Sequence, residues 1–205
     1  YWKELKNTLT FMRDGSYLQF TTKTNLYGAA VATPALWYSF KEDERISRHQ
    51  RTKHISNFTQ IASDLAPALS FPIIQGIFLT YGIKNDQRHE VEFATQTMAT
   101  MYLALLESAA LSVIDIHQRP DEEKLSKWET QFRGKSSFPS GHVVPYAALA
   151  IKTYQFYGPA WAIAPFGLYV ATSLQRVRDG KHYMSDVVGS FFLTLFASEG
   201  VRKAS

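Results

Sequence analysis

The chain contains no cysteine. That absence removes disulfides, thiolate nucleophiles and Cys-ligated metals from consideration. It also lacks any Lys/Arg tract: 22 basic and 18 acidic residues give a formal charge of +4, spread along the sequence. A nucleic-acid binder carries a denser basic stripe, so nucleic acid is not expected as a partner. An anionic small substrate or an anionic membrane surface suits the mild excess equally well. Strand-like alternation is scarce, and there is no internal repeat or low-complexity tract. At 205 residues, 45% of them hydrophobic and 20% charged, the composition is that of a globular chain with a substantial core.

Long uncharged runs are also few. Leu65 to Ile83, "LAPALSFPIIQGIFLTYGI", is about long enough to span a bilayer. Thr153 to Gln175 is uncharged too, but Gly158, Pro159 and Pro165 should break it into shorter pieces. The mean hydropathy of −0.19 is low for a protein with several spanning helices. A soluble or surface-associated form is therefore expected. The opening "YWKELKNTLTFMRDG" has neither an initiating Met nor a basic-then-apolar leader, so the numbering is expected to begin after a removed segment or a trimmed end.

What is present reads as helices separated by polar loops. Residues 1–12 suit a short amphipathic helix ended by Asp14-Gly15, and residues 26–40 an apolar one with a boundary or kink at Pro34. "KEDERISRHQRTKH", 41–54, reads as a charged, solvated connector. Residues 55–82 suit two helices meeting near Pro67 to Pro72. From Val91 to about Asp115 runs the longest candidate, with Phe93, Met98, Met101, Leu105, Ala109 and Ser112 at spacings of mainly three and four. A polar stretch of about twenty residues follows, a length that usually marks function or mobility. Helices are then expected over about 143–157 and 160–176, joined at Gly158-Pro159, and from about Ser185 toward Glu199. The expected fold is all-α, a single domain over 1–205 in which 1–54 form peripheral helices and the connector, and 55–205 form the core that carries the site.

Three clusters carry residues fit for chemistry: "HQRP" (117–120), "FPSGH" (138–142) and "QRVRDGKHYMSD" (175–186). In the second, Ser140 is a good N-cap type and Gly141 lets the backbone approach a ligand. Pro145 tolerates only the first helical turn, so the helix should start near Val143 or Val144. That would leave the amides of Ser140 to His142 at the mouth of an anion site beside an exposed imidazole. A plain capped helix with a surface histidine explains the same residues. In the third cluster, His182 and Asp186 are four apart, close enough for a carboxylate to fix the imidazole's tautomer and raise its basicity. Arg176 adds a planar fork suited to phosphate oxygens. A structural pair and a helix-terminal cation explain these equally. Arg119-Pro120 alone is a helix terminator, and His117 has no assigned role.

Together and in this order, the three clusters resemble the signature of the superfamily of type 2 phosphatidic acid phosphatases, bacterial non-specific acid phosphatases and vanadium haloperoxidases. That signature is Lys-x6-Arg-Pro, then Pro-Ser-Gly-His, then Ser-Arg-x5-His-x3-Asp. Here Arg119 and Pro120, then Pro139 to His142, then Arg176, His182 and Asp186 match it. Two positions depart: Ser112 stands where the lysine belongs, and Gln175 where the serine belongs. In the family the lysine contacts phosphate; Lys135 or Lys181 is a candidate substitute. The resemblance implies a helical bundle of the acid phosphatase/vanadium haloperoxidase type. It also implies hydrolysis of a phosphate monoester or diphosphate without a metal, through a phosphohistidine on His182. Asp186 would orient His182, and His142 would serve as acid and then base. Arg119, Arg176 and the Ser140 and Gly141 amides would hold the phosphate oxygens. The expected partner is a phosphorylated small molecule or, with a slight lean, a lipid phosphate at a membrane surface, in the cell envelope. No cofactor is expected. Under the haloperoxidase alternative the same pocket would hold vanadate on His182. A third reading is a weakened member that only binds an anionic headgroup.

Overall fold

The computed structural model describes residues 1–52, 56–120 and 136–205. Among them are eight α-helices and no strand: α1 Trp2–Leu18, α2 Lys23–Arg51, α3 Asn57–Leu65, α4 Ile73–Lys84, α5 Arg88–Ser112, α6 Val144–Tyr157, α7 Pro159–Arg178 and α8 Met184–Ala204. The fold is all-α, as the scarcity of alternation predicts. α5 is the central rod: Phe93 to Met101 are buried without interruption, and α1, α4, α6 and α8 pack around it. Its predicted stripe is buried at Phe93, Met98, Met101 and Ser112, but Ala109 faces out, and the helix stops at Ser112 rather than Asp115.

The first fifty residues differ from expectation. α1 runs on through Asp14-Gly15 because Gly15 lies against Val201 and Gly200 of α8, where any side chain would collide. α2 is one 29-residue helix that passes through Pro34 and absorbs the charged "connector" up to Arg51. A proline within a helix costs about 3 kcal/mol; the packing of α2 along α8 and α7 offsets it. The face that packs inward is made of Asn25, Ala32, Ser39, Asp43 and Ser47, spaced seven and four apart. Those residues are small or polar, so a hydrophobic stripe was absent although the helix is real.

The uncharged stretch Leu65–Ile83 is also broken. α3 ends at Leu65, a short 3-10 turn covers Ala68–Ser70, and α4 begins at Ile73. Among the described residues no single helix is long and apolar enough to cross a membrane; the one pair that would suffice together, Asn57–Ser70 and Ile73–Lys84, is bent by 56°. Pro165 does not break α7, but Gly158-Pro159 does separate it from α6.

Two apolar clusters lock the region that carries the motifs. One gathers Ala66, Val143, Tyr146, Ala147, Tyr169 and Val187; the other gathers Ala99, Leu103, Ala104, Val144, Ala197 and Val201. Adjacent residues Val143 and Val144 therefore enter different clusters. The turn holding His142 is pinned between them.

Candidate active site

α7 ends at Arg178, and Gly180 (φ 69°) reverses the chain. The amides of Lys181 and His182 then return to the Arg176 carbonyl at 3.1 and 3.3 Å. The turn thus sets His182 beside the helix end that bears Arg176. Asp186 lies in the first turn of α8, where its Oδ2 accepts the Tyr183 amide at 2.8 Å and caps that helix. The same oxygen faces His182 Nδ1 at 3.2 Å. Both side chains are buried, and His182 Nε2 has no hydrogen-bond partner among the described residues.

Burial holds His182 down at about 4; Asp186 opposes this in part, while the nearby Arg176 and Arg119 guanidiniums add to it. Burial alone would raise Asp186, but the facing His117 and His182 imidazoles and the hydrogen bond from the Tyr183 amide outweigh it and hold the carboxyl at about 2. The resulting pair is a neutral imidazole, its Nδ1–H directed at a carboxylate and its lone pair on Nε2. An imidazole in this state can act as a nucleophile, and the nearby Arg176 and Arg119 charges favour an anion beside it.

The Pro-Ser-Gly-His turn is fastened to α8. The Ser140 amide donates to the Asp186 carbonyl at 3.1 Å, and Ser190 Oγ donates to the Ser140 carbonyl at 2.8 Å. The Ser140 amide is thus committed to the scaffold, which corrects its expected place at the mouth of an anion site. Its hydroxyl is buried with no hydrogen-bond partner among the described residues. Gly141–Val143 form a 3-10 turn and α6 follows at Val144, so Pro145 falls in the first turn as its missing N–H requires. His142 is half-buried, not exposed. Its Nε2 lies 2.8 Å from the Ser63 carbonyl of α3, which makes that nitrogen the N–H donor.

Arg119 is buried, and its Nη1 donates to the Lys181 carbonyl at 3.4 Å. Its segment is stitched to the turn's approach: the His117 carbonyl accepts from the Ser137 amide at 2.8 Å, and Gln118 pairs with Ser136. All three motifs therefore meet at one end of the bundle. Of the two departures, Gln175 faces away from this chemistry. It is buried, takes a hydrogen bond from Thr59 and donates to Gln60 and Asp179. Ser112 is buried at the end of α5, and its hydroxyl turns back to the Ala109 carbonyl at 2.7 Å. Lys135 lies outside the described residues.

Four contributors were not read from the sequence. His117 Nδ1 lies 3.4 Å from Asp186 Oδ1. Asp43 Oδ1 accepts the Ser185 amide at 2.9 Å, and Glu44 accepts the Tyr183 hydroxyl at 2.9 Å, so α2 braces the start of α8. Ser63 supplies the carbonyl for His142. The phase of Asp43 with Ser39 and Ser47 was available as a signal; a backbone carbonyl leaves none. An apolar groove of about 630 Å³, lined by Phe20, Leu26, Leu111, Leu193 and Phe196, runs along α2, α5 and α8, away from these residues. The His182 end is the candidate site on its polar geometry, not on groove size.

The family model for the PAP2 superfamily matches residues 112–202, the segment holding all three motifs. No curated protein and no solved structure matches the chain.

Proposed function

We propose that this chain, whose residues 112–202 match the model of the PAP2 superfamily, generally phosphoesterases, hydrolyses a phosphate monoester or diphosphate through a phosphohistidine. One observation carries the reading. His182 is buried and neutral, its Nδ1 is 3.2 Å from Asp186, and its Nε2 is unpartnered among the described residues beside two guanidiniums.

The Nε2 lone pair attacks phosphorus as the bond to the leaving oxygen breaks. Arg119, Arg176, the Ser140 hydroxyl and the Gly141 amide hold the non-bridging oxygens, where transition-state charge spreads. Asp186 offsets the imidazolium charge that develops. His142 gives a proton to the leaving oxygen, then takes one from the water that displaces His182 from phosphorus. Since Nε2 of His142 is fixed as donor to Ser63, the proton exchanged is the one on Nδ1. No cofactor enters this scheme.

A lipid-type phosphate is the proposed substrate class, met at a membrane surface of the cell envelope. The support is apolar surface: Phe71, Ile73 and Ile77 near α4 and Trp161, Ile163 and Phe166 on α7 are exposed. Patches of this kind mark contact with apolar partners. Ser112 favours one alternative, a member that binds phosphate but turns it over slowly, because the usual cation is missing there.

Release of phosphate from an aryl phosphate tests the reading. Wild type should exceed His182→Ala by about a hundredfold or more, and acid-stopped enzyme should carry phosphate on His182. Equal rates in the two proteins refute it.

A further inference from the structure

Asp186 has two carboxylate oxygens, and the pair with His182 uses only Oδ2. Oδ1 is buried and has no hydrogen bond of good geometry among the described residues. A buried carboxylate compensated on one side only is costly. The group that faces Oδ1 is His117, with Nδ1 at 3.4 Å, an ion-pair distance.

The His117 ring is held firmly in place. It stacks on Tyr183 with centroids 4.3 Å apart and planes 21° off parallel, and Phe40 lies 5.3 Å away. Its Nδ1 is also 3.4 Å from Ser185 Oγ and 4.0 Å from Asp43 Oδ2. The charged groups that bear on it are Asp186 from α8 and Asp43 and Glu44 from α2. Burial lowers the ring's proton affinity, but these carboxylates outweigh it and the net shift is upward. The cluster does not converge as metal ligands would; among the described residues no three such side chains are placed to hold an ion.

We propose that His117 is a positioning residue for the nucleophile: as imidazolium it compensates Oδ1 of Asp186, and Asp43 keeps it charged. The inference rests on the reading of His182 and Asp186 given under Proposed function. With Oδ1 compensated, Asp186 can orient His182 while raising its basicity less, which keeps the nucleophile unprotonated to lower pH. Without the cation, His182 meets the whole carboxylate charge and binds its proton more tightly.

The test is an NMR titration of the imidazoles in the full chain, with the six histidines assigned by single substitutions. In wild type, His117 should titrate above the ordinary value of about 6.5. His117→Gln keeps a donor toward Oδ1 but removes the charge, and the His182 midpoint should rise by about one pH unit, the size of a unit charge acting across a carboxylate at an effective dielectric near 20 or above. Asp43→Asn leaves the ring in place and should lower the His117 midpoint. An unchanged His182 midpoint in His117→Gln, or a wild-type His117 midpoint at or below about 6.5, overturns the proposal. If His117→Gln does not fold, an unmoved His117 in Asp43→Asn overturns it. The acid limb of kcat/KM for aryl phosphate should move with His182. Because the titrations need no turnover, failure of the phosphatase reading would appear separately, as equal rates in wild type and His182→Ala.

Discussion

Replacing Gly189 by alanine tests whether the packing of α8 sets the position of the Pro-Ser-Gly-His turn. A Cβ there would fall 2.3 Å from Phe138 Cε2 and 2.6 Å from Cζ. Carbon atoms in comfortable contact are about 3.5–4 Å apart, so the ring must shift by about 1 Å or more. Phe40 packs on the same ring at 5.5 Å, and Phe138 joins directly to Pro139 and Ser140. Overpacking of this kind costs about 1–3 kcal/mol, and each kcal/mol lowers Tm by about 2–4 °C in a chain of this size. The turn should move with the ring, and a misplacement near 1 Å costs up to about a hundredfold in rate. Gly200→Ala is the control. Its Cβ would fall 2.3 Å from the Gly15 carbonyl oxygen and 2.8 Å from Gln19 Cβ, so the clash is as severe but lies where α8 crosses α1. Both variants should melt lower by circular dichroism. At a temperature where both are folded, Gly189→Ala should lose about tenfold to a hundredfold in kcat/KM, while Gly200→Ala stays within about twofold. A Gly189→Ala protein with lowered Tm and wild-type kcat/KM would refute the coupling, as would an equal loss of rate in Gly200→Ala.

Ser112→Lys should restore a cation at the end of α5 and lower the inhibition constant for inorganic phosphate several-fold, on the order of one charge-assisted contact; an unchanged constant would place the position away from the phosphate. Acidification should destabilise the fold in two stages. The folded protein refuses the proton on His182 until about pH 4, whereas the unfolded chain accepts it near 6.5, so that stability is complete above 6.5 and falls between 6.5 and 4. The loss from this group is about 3 kcal/mol. Asp186 adds a further loss as pH drops from its unfolded value of 3.8 toward about 2. Urea unfolding across this range measures both stages, and His182→Asn should flatten the first; an equally steep wild-type and variant profile would contradict the assignment.

The placement of the motif residues was legible because it depends on short, local spacings: Arg176, His182 and Asp186 share one helix–turn–helix, and Ser140 to His142 share one turn. The helices after Val143 were legible because Gly158-Pro159 and Pro145 punctuate them. What was hidden arrives from distant parts of the chain. Asp43 and Glu44 sit in a run whose charge density reads as solvated, and only the packing of α2 on α8 reveals which of those charges turn inward. His117 was visible within "HQRP", but its partners are Asp43, far earlier in the chain, and the far oxygen of Asp186. Ser63 contributes through its backbone, which any residue type supplies. The amide of Ser140 was misassigned for a related reason: sequence shows that a turn offers donors, not which neighbour has already claimed them.

The hydrogen bonds that tie Ser140 to Asp186 and Ser190 have a mechanical corollary. The turn bearing His142 and the helix start bearing Asp186, which pairs with His182, are anchored to the same two turns of α8. A tilt or slide of α8 within the bundle would carry both along and leave their separation nearly unchanged. The seam of the site runs elsewhere, between His142 and the Ser63 carbonyl of α3. A motion of α3 that opens there would release the His142 ring while His182 and Asp186 stay in register, so the contact that holds the His142 ring and the one that holds His182 belong to different mechanical parts.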